Sequence, residues 1–270
     1  MRNLLIFSLV LFFSTNTFVN HARSLEYTIL DDTQVVESLE LPLFNYWYGL
    51  YSYDEDGNEY KVGYVNMKEE VSENFSTYNE PVYINEILLV LEALSLEVRE
   101  TYTIKTKTVF QTQPPYNFLY YEGIFSANLG EATVISTRQG DSLIIVKSDG
   151  ENEKKSVITD FDYRLNHFLA VNIFFLKNIN TKVGKKINLL EFDGDRFSDS
   201  TMKLLEIRNT LVDGVSYKYF VFESEWEEED EIETALMFID EDTKPIKINF
   251  SLWQVEGRLE AKEQAKDLSN

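Results

Sequence analysis

Alternation of apolar and polar side chains, run after run with only short turns between, constrains this chain more than any other feature. "RETYTIKTKTVFQT" (99–112) alternates at length, with Tyr102, Ile104 and Val109 among its β-formers. "YKVGYVNM" (60–67), "NFLYYEGIFSA" (117–127), "ATVISTR" (132–138) and "DSLIIVKS" (141–148) continue the pattern. Later come "KINLLEF" (186–192), "STMKLLEIRNTL" (200–211), "VSYKYFVFESEW" (215–226), "EIETALMFID" (231–240) and "KPIKINFSLW" (244–253). A period of two sends successive side chains to opposite faces of a strand. The joints ("PP" at 114–115, "LGE" at 129–131, "QGD" at 139–141, "DGEN" at 149–152, "VDG" at 212–214 and "DEDTKP" at 240–245) are turn chemistry. Strands joined so tightly must be antiparallel neighbours.

Two segments break the alternation. "TDFDYRLNHFLAVNIFFLKN" (159–178) places Leu165, Phe168, Leu169, Asn172 and Leu176 at helical spacing behind a Thr159/Asp162 start signal. Phe161, Ile173, Phe174 and Phe175 widen its apolar face, so it needs cover on more than one side. The concave face of a curved sheet is the natural cover. In "YINEILLVLEALSLEV" (83–98), Ile84, Ile87, Leu88, Leu91 and Leu94 fit a helix, which periodicity favours. Two buried strands turning near Ser95 are the alternative.

"YWYGLYSYDEDGNEYKVGYVNM" (46–67) crowds aromatics around an acidic, glycine-centred turn. Asp56-Gly57 is a hairpin signal. An EF-hand needs acids at its first, third and fifth positions, ahead of the glycine, and a glutamate at its twelfth. Here Gly57 follows Asp54 and Asp56 at once, so the calcium reading fails on spacing. Tyr46 and Tyr48 fall on one face, and Trp47, Tyr51 and Tyr53 are shifted by Gly49. Gly49 and Gly63 mark bulges or a close backbone approach.

The first residues address the compartment. Arg2, the apolar "LLIFSLVLFF" (4–13) and the polar "STNTFVNHARS" have the layout of a secretory signal peptide, with cleavage after Ala22 or Ser24. The apolar run is shorter than the roughly twenty residues a membrane-spanning helix needs. With no cysteine anywhere, neither a disulfide scaffold nor lipid attachment through cysteine is open to the chain. Roughly 245 mature residues can bury a core without staples. A net charge of −21 disfavours nucleic acid and anionic membranes and favours cationic partners.

Most site chemistries are excluded by composition. Thiol catalysis is impossible, and His167 is the one histidine beyond the signal. A lone histidine makes neither a zinc centre nor, without a "G-x-S-x-G" elbow, a serine triad. Phosphate-binding glycine loops are absent. Two carboxylates could cleave a glycosidic bond, but the densest acidic run, "ESEWEEEDEIE" (223–233), lies between strands and reads as a solvated hairpin end. No catalytic residue, cofactor or metal ligand is expected, and the chain is read as non-enzymatic.

At this point the chain resembles a β-rich module of exported bacterial proteins that often precedes a transglutaminase-like domain. The similar residues are "WYGLYSYDEDGNEYKVGYVNM", "QTQPPYNFLYYEG" (111–123), "NTKVGKKINLLEFDGDRFSDS", "VDGVSYKYFVFES" and "ALMFIDEDTKPIKINFSL". The resemblance covers about 45–262 and implies kinship with lipoprotein-carrier half-barrels of the LolA/LolB type. It implies a mostly β fold, a strongly curved antiparallel sheet wrapped around one central helix near 160–177. It also implies strands at 84–93 and 96–112, against the helical count, and this reading follows it. The expected layout is a signal peptide (1–24), an N-terminal segment (25–44), the half-barrel (45–262) and a frayed tail (263–270). The expected function is binding or scaffolding in the periplasm or outside the cell, with an apolar or amphipathic ligand or an envelope protein segment held in the concavity. Trp47, Tyr64, Phe168 and Phe175 are the candidate ligand-binding residues. A cell-envelope glycan on exposed Tyr and Trp rings is the alternative, ahead of a carboxylate hydrolase.

Overall fold

The computed structural model describes residues 43–54, 56–75, 78–95, 98–113, 117–128, 130–159, 182–184, 186–192, 197–212, 215–228, 231–241, 244–250 and 255–268. They form fourteen strands. The first eight are β1 (Phe44–Tyr53), β2 (Glu59–Ser72), β3 (Val82–Ser95), β4 (Val98–Gln111), β5 (Phe118–Ala127), β6 (Gly130–Gln139), β7 (Ser142–Ser148) and β8 (Glu153–Thr159). The other six are β9 (Lys186–Phe192), β10 (Phe197–Val212), β11 (Val215–Glu228), β12 (Glu231–Asp240), β13 (Pro245–Phe250) and β14 (Val255–Glu260), and a short helix, α1 (Lys262–Lys266), follows.

All fourteen strands belong to one antiparallel sheet, ordered β8-β7-β6-β5-β4-β3-β2-β1-β14-β13-β12-β11-β10-β9. Two meanders, β1–β8 and β9–β14, therefore meet at a single seam, where β14 pairs with β1. The sheet is not closed, and β8 and β9 are its two edges among the described residues. The first hairpin is the one read from the sequence: Asp54 Oδ1 accepts from the Asp56 and Asn58 amides at 3.0 and 2.8 Å. Gly57 supplies the left-handed step at φ 80°. The register slips between Leu50 and Tyr51, so Val62 bulges beside Gly63.

Register divides the side chains into two faces. The core face carries Tyr48 and Leu50 of β1, Met67 of β2, Tyr83 of β3, Phe110 of β4 and Phe118 of β5, all buried. Beyond the seam it carries the cluster of Met202, Leu204, Phe222, Met237 and Ile239, with Ile207, Phe220 and Ile248 against it. The Tyr48 hydroxyl crosses the seam to the Pro245 carbonyl at 2.8 Å. The opposite face is polar in mid-sheet, where Lys68, Glu86, Lys107 and Glu122 alternate in sign along one register row. At one end it holds a second cluster, Val82, Ile84, Val109 and Leu119, under Phe75, Tyr78 and Tyr120.

The helical reading of 83–98 does not hold. Residues 83–95 belong to β3 and Val98 opens β4, as the resemblance implied. The alternation is hidden because β3 is apolar on both faces: Val82 and Ile84 enter one cluster while Tyr83 is buried on the other side. β8 and β14 are strands that the alternation did not announce. The segment expected to fray begins with α1, whose Ala265 is 0% exposed. The signal peptide, His167 and the helix expected near 160–177 lie outside the described residues. No helix among the described residues is long and apolar enough to cross a membrane.

Candidate functional site

A row of polar side chains runs across the core face, one residue per strand. Glu69 (β2), Asn85 (β3), Thr108 (β4), Tyr121 (β5) and Ser136 (β6) are consecutive register partners. All five are buried. The alternation that sends Val65 and Met67 to the core face sends Glu69 there too. A carboxylate at 2% exposure is costly unless it is hydrogen-bonded. Asn85 Nδ2 donates to Glu69 Oε1 at 3.0 Å, and the Tyr83 hydroxyl donates to Oε2. Burial outweighs these bonds and pushes the Glu69 carboxyl up to about 7. Tyr83 is also raised, first by burial and then by Glu69, and Tyr48 first by burial and then by Tyr46, Asp240 and Glu69. Asn85 Oδ1 is buried with no hydrogen-bond partner.

Towards the other end of the same strands the core face turns apolar and half-buried. Val65, Leu89, Ile104 and Phe125 form one cross-strand row, and Ile87 stands between Leu89 and Asn85 along β3. Two residues along a strand advance about 7 Å. The half-buried row therefore sits about 13 Å from Glu69, on one continuous surface.

Trp47 and Tyr64 come together, with ring centroids 6.0 Å apart, but on the opposite face. α1 lies over them: Lys266 Nζ is 4.8 Å from the Trp47 ring centroid and 5.9 Å from that of Tyr64. Both are out of phase with Tyr48 and Met67 and so stand on the face opposite the buried core residues. Beside them, Glu260 pairs with Lys61 at 2.9 Å and accepts from the Tyr51 hydroxyl, and Lys61 reaches the Gln264 carbonyl at 2.6 Å. Both charged side chains are nearly buried, at 4% and 7% exposure. This cluster fastens α1 to the sheet. Phe168 and Phe175 lie outside the described residues.

The sequence reading missed Glu69 and Asn85. Glu69 sits in "MKEEVSEN", which looks like a solvated stretch. The signal was its phase with Val65 and Met67, which sets it apart from Lys68 and Glu70. Among the described residues no three of His, Asp and Glu gather as metal ligands. Tyr53, at 43%, is an exposed aromatic ring of the first hairpin. Its hydroxyl donates to Glu59 at 3.0 Å.

No protein-family model matches this chain, and no curated protein does. Among solved structures, the chain is similar to a crystal structure of a beta-barrel-like protein of Domain of Unknown Function DUF1849 from Brucella abortus. The TM-score is 0.56 at 10% sequence identity, over 82% of this chain and 97% of that one. The likeness is one of fold: β-rich and barrel-like.

Proposed function

We propose that this is an exported, non-enzymatic binding protein that holds an amphipathic ligand against the core face of a curled sheet. The observation that carries the reading is the half-buried apolar row Val65, Leu89, Ile104 and Phe125, continuous with a buried polar row. An apolar surface with a few fixed polar groups is the usual make-up of a small-molecule site. The barrel-like neighbour supports curling, and so does breadth, since open sheets of more than about ten strands curl or split. The relation to lipoprotein-carrier half-barrels is part of this proposal.

Chain length bears on the central helix. A flat sheet of fourteen strands is about 60 Å from edge to edge. β8 and β9 run in opposite directions at the two edges, so Thr159 and Lys186 lie at the same end of the sheet. A helix over 160–177 would span about 26 Å, and the ten extended steps that join it to Thr159 and Lys186 about 36 Å at most. Together they reach across a flat sheet only with both linkers fully stretched. The helix reading therefore sits more easily with edges that approach each other, as in a half-barrel.

The glycan alternative asks for a row of exposed rings, and in the first hairpin Tyr53 is exposed while Tyr48 is buried and Trp47 and Tyr64 are half-buried with Lys266 over their rings. Mass spectrometry of small molecules retained on the purified protein, with a Nile red titration, tests the proposal. Retained amphiphile and saturable uptake, weakened by Leu89→Asp in a folded variant, are expected. An empty protein that takes up no dye would overturn it.

A further inference from the structure

We propose that Glu69 and Asn85 receive the head group of the ligand, and that this head group is a hydrogen-bond donor, an amine or a hydroxyl. The inference rests on the carrier reading above and specifies the ligand class.

The hydrogen bonds of the cluster decide the polarity. Tyr83 spends its one hydroxyl donor, and Asn85 Nδ2 one of its two, on the oxygens of Glu69. What is left over is mainly acceptor capacity: the remaining lone pairs of the carboxylate and the whole of Asn85 Oδ1, which has no partner although Asn85 is 1% exposed. Buried side-chain acceptors without a donor are rare and costly. A group that brings donors satisfies both residues, and a cationic amine also offsets the buried charge. A carboxylate or phosphate head would set like charge against Glu69 and bring no donor. The apolar part of the ligand has a surface on the same strands, from Ile87 to Leu89 and across to Val65, Ile104 and Phe125.

The test is competition on the full purified chain. Nile red, a neutral dye, is displaced by dodecylamine, dodecanol or dodecanoate, each below its micelle concentration. The three share one chain length and differ only in the head. Dodecylamine is expected to compete about tenfold better than dodecanoate, with dodecanol between them, the size of one charge-assisted hydrogen bond. Glu69→Gln, checked for folding by circular dichroism, should narrow that gap to about twofold. Equal competition by all three, or a preference unchanged in Glu69→Gln, overturns the head-group assignment and leaves only an internal water on Asn85, with the carrier reading intact. No saturable dye uptake overturns both. If Glu69→Gln fails to fold, the ranking on the native chain is repeated in about 0.5 M salt, which screens the general attraction of a chain of net charge −21 for a cation; a gap that collapses there overturns the assignment, and one that persists supports it.

Discussion

Glu69 and Glu70 are adjacent acids with opposite environments, and the difference has a measurable pH signature. The folded Glu69 carboxyl titrates near 7, above its ordinary value of 4.5. A folded state that holds its proton more tightly than the unfolded state gains stability at low pH. That contribution is complete below pH 4.5 and is lost as pH rises through 7. Glu69→Gln keeps the neutral form at every pH. Its stability relative to the native chain should therefore grow between pH 5 and pH 8, by on the order of 3 kcal/mol. Urea denaturation at the two pH values checks this, and an unchanged difference would mean that Glu69 is already ionised at pH 5. Two glycines give a second residue-scale prediction. A Cβ on Gly63 would stand 2.1 Å from the Val90 carbonyl oxygen, which is backbone. On Gly49 it would meet Glu260 Oε2 at 2.6 Å, a side chain that can move at the expense of Lys61. Gly49→Ala should cost about 1 to 3 kcal/mol, and Gly63→Ala should cost more, because a strand must shift. Both close approaches were legible in the sequence as glycines interrupting aromatic strands. The facing of Trp47 was not, since parity sorts residues into two faces without saying which is buried.

The strands differ in how plainly they announce themselves, and the reason is local. β4, β9, β11 and β12 alternate cleanly or carry dense β-formers, and the sequence placed them closely. β8, "EKKSVIT", is an edge strand in which Glu153, Lys154 and Lys155 are exposed and Val157 is 54% exposed. Charge on an edge discourages pairing with other chains and also hides the strand from a pattern search. β14 is six residues long and carries Glu256, Gly257 and Arg258 in a row. α1 was illegible because five polar-rich residues do not make a stable helix alone. It forms where Ala265 fits against the sheet and Lys61 caps the Gln264 carbonyl. Ala265→Asp would bury a charge there. Trypsin should then cut after Lys262 or Lys266 at least about tenfold faster than in the native chain, since cleavage follows the population of the undocked helix. Equal rates would mean that α1 frays in both.

At the scale of the molecule the seam is the feature that matters. Trp47 pairs with Glu260 and Tyr51 with Glu256, contacts that bring together the first and last strands of the described chain. Every other strand pair joins neighbours in sequence. Loop closure makes long-range pairing the slow step, so the meanders should form before they join. Leu50, 3% exposed at the seam, tests this order. Leu50→Ala should lose about 2 to 5 kcal/mol of stability. Most of the loss should appear as faster unfolding in stopped-flow chevrons, with the refolding arm nearly unmoved. A slowed refolding arm would put the seam in the nucleus instead. Fold class was legible because antiparallel neighbours follow from short turns. The seam was not, because nothing in "VEGRLE" names β1 as its partner.

The seam also sets how the molecule answers to mechanical load. Trp47 faces Glu260, so the start of β1 and the end of β14 lie at the same end of the pair. A pull applied to those two ends runs along the interstrand hydrogen bonds, which lie perpendicular to antiparallel strands. The bonds then open one after another, as in a zipper, rather than sharing the load in shear. α1 sits across that starting point, bolted to β2 through Lys61 and to β1 through Trp47. Under tension the bolt must leave before the first tooth parts, so the resistance of a fourteen-stranded sheet would be set by five residues of helix.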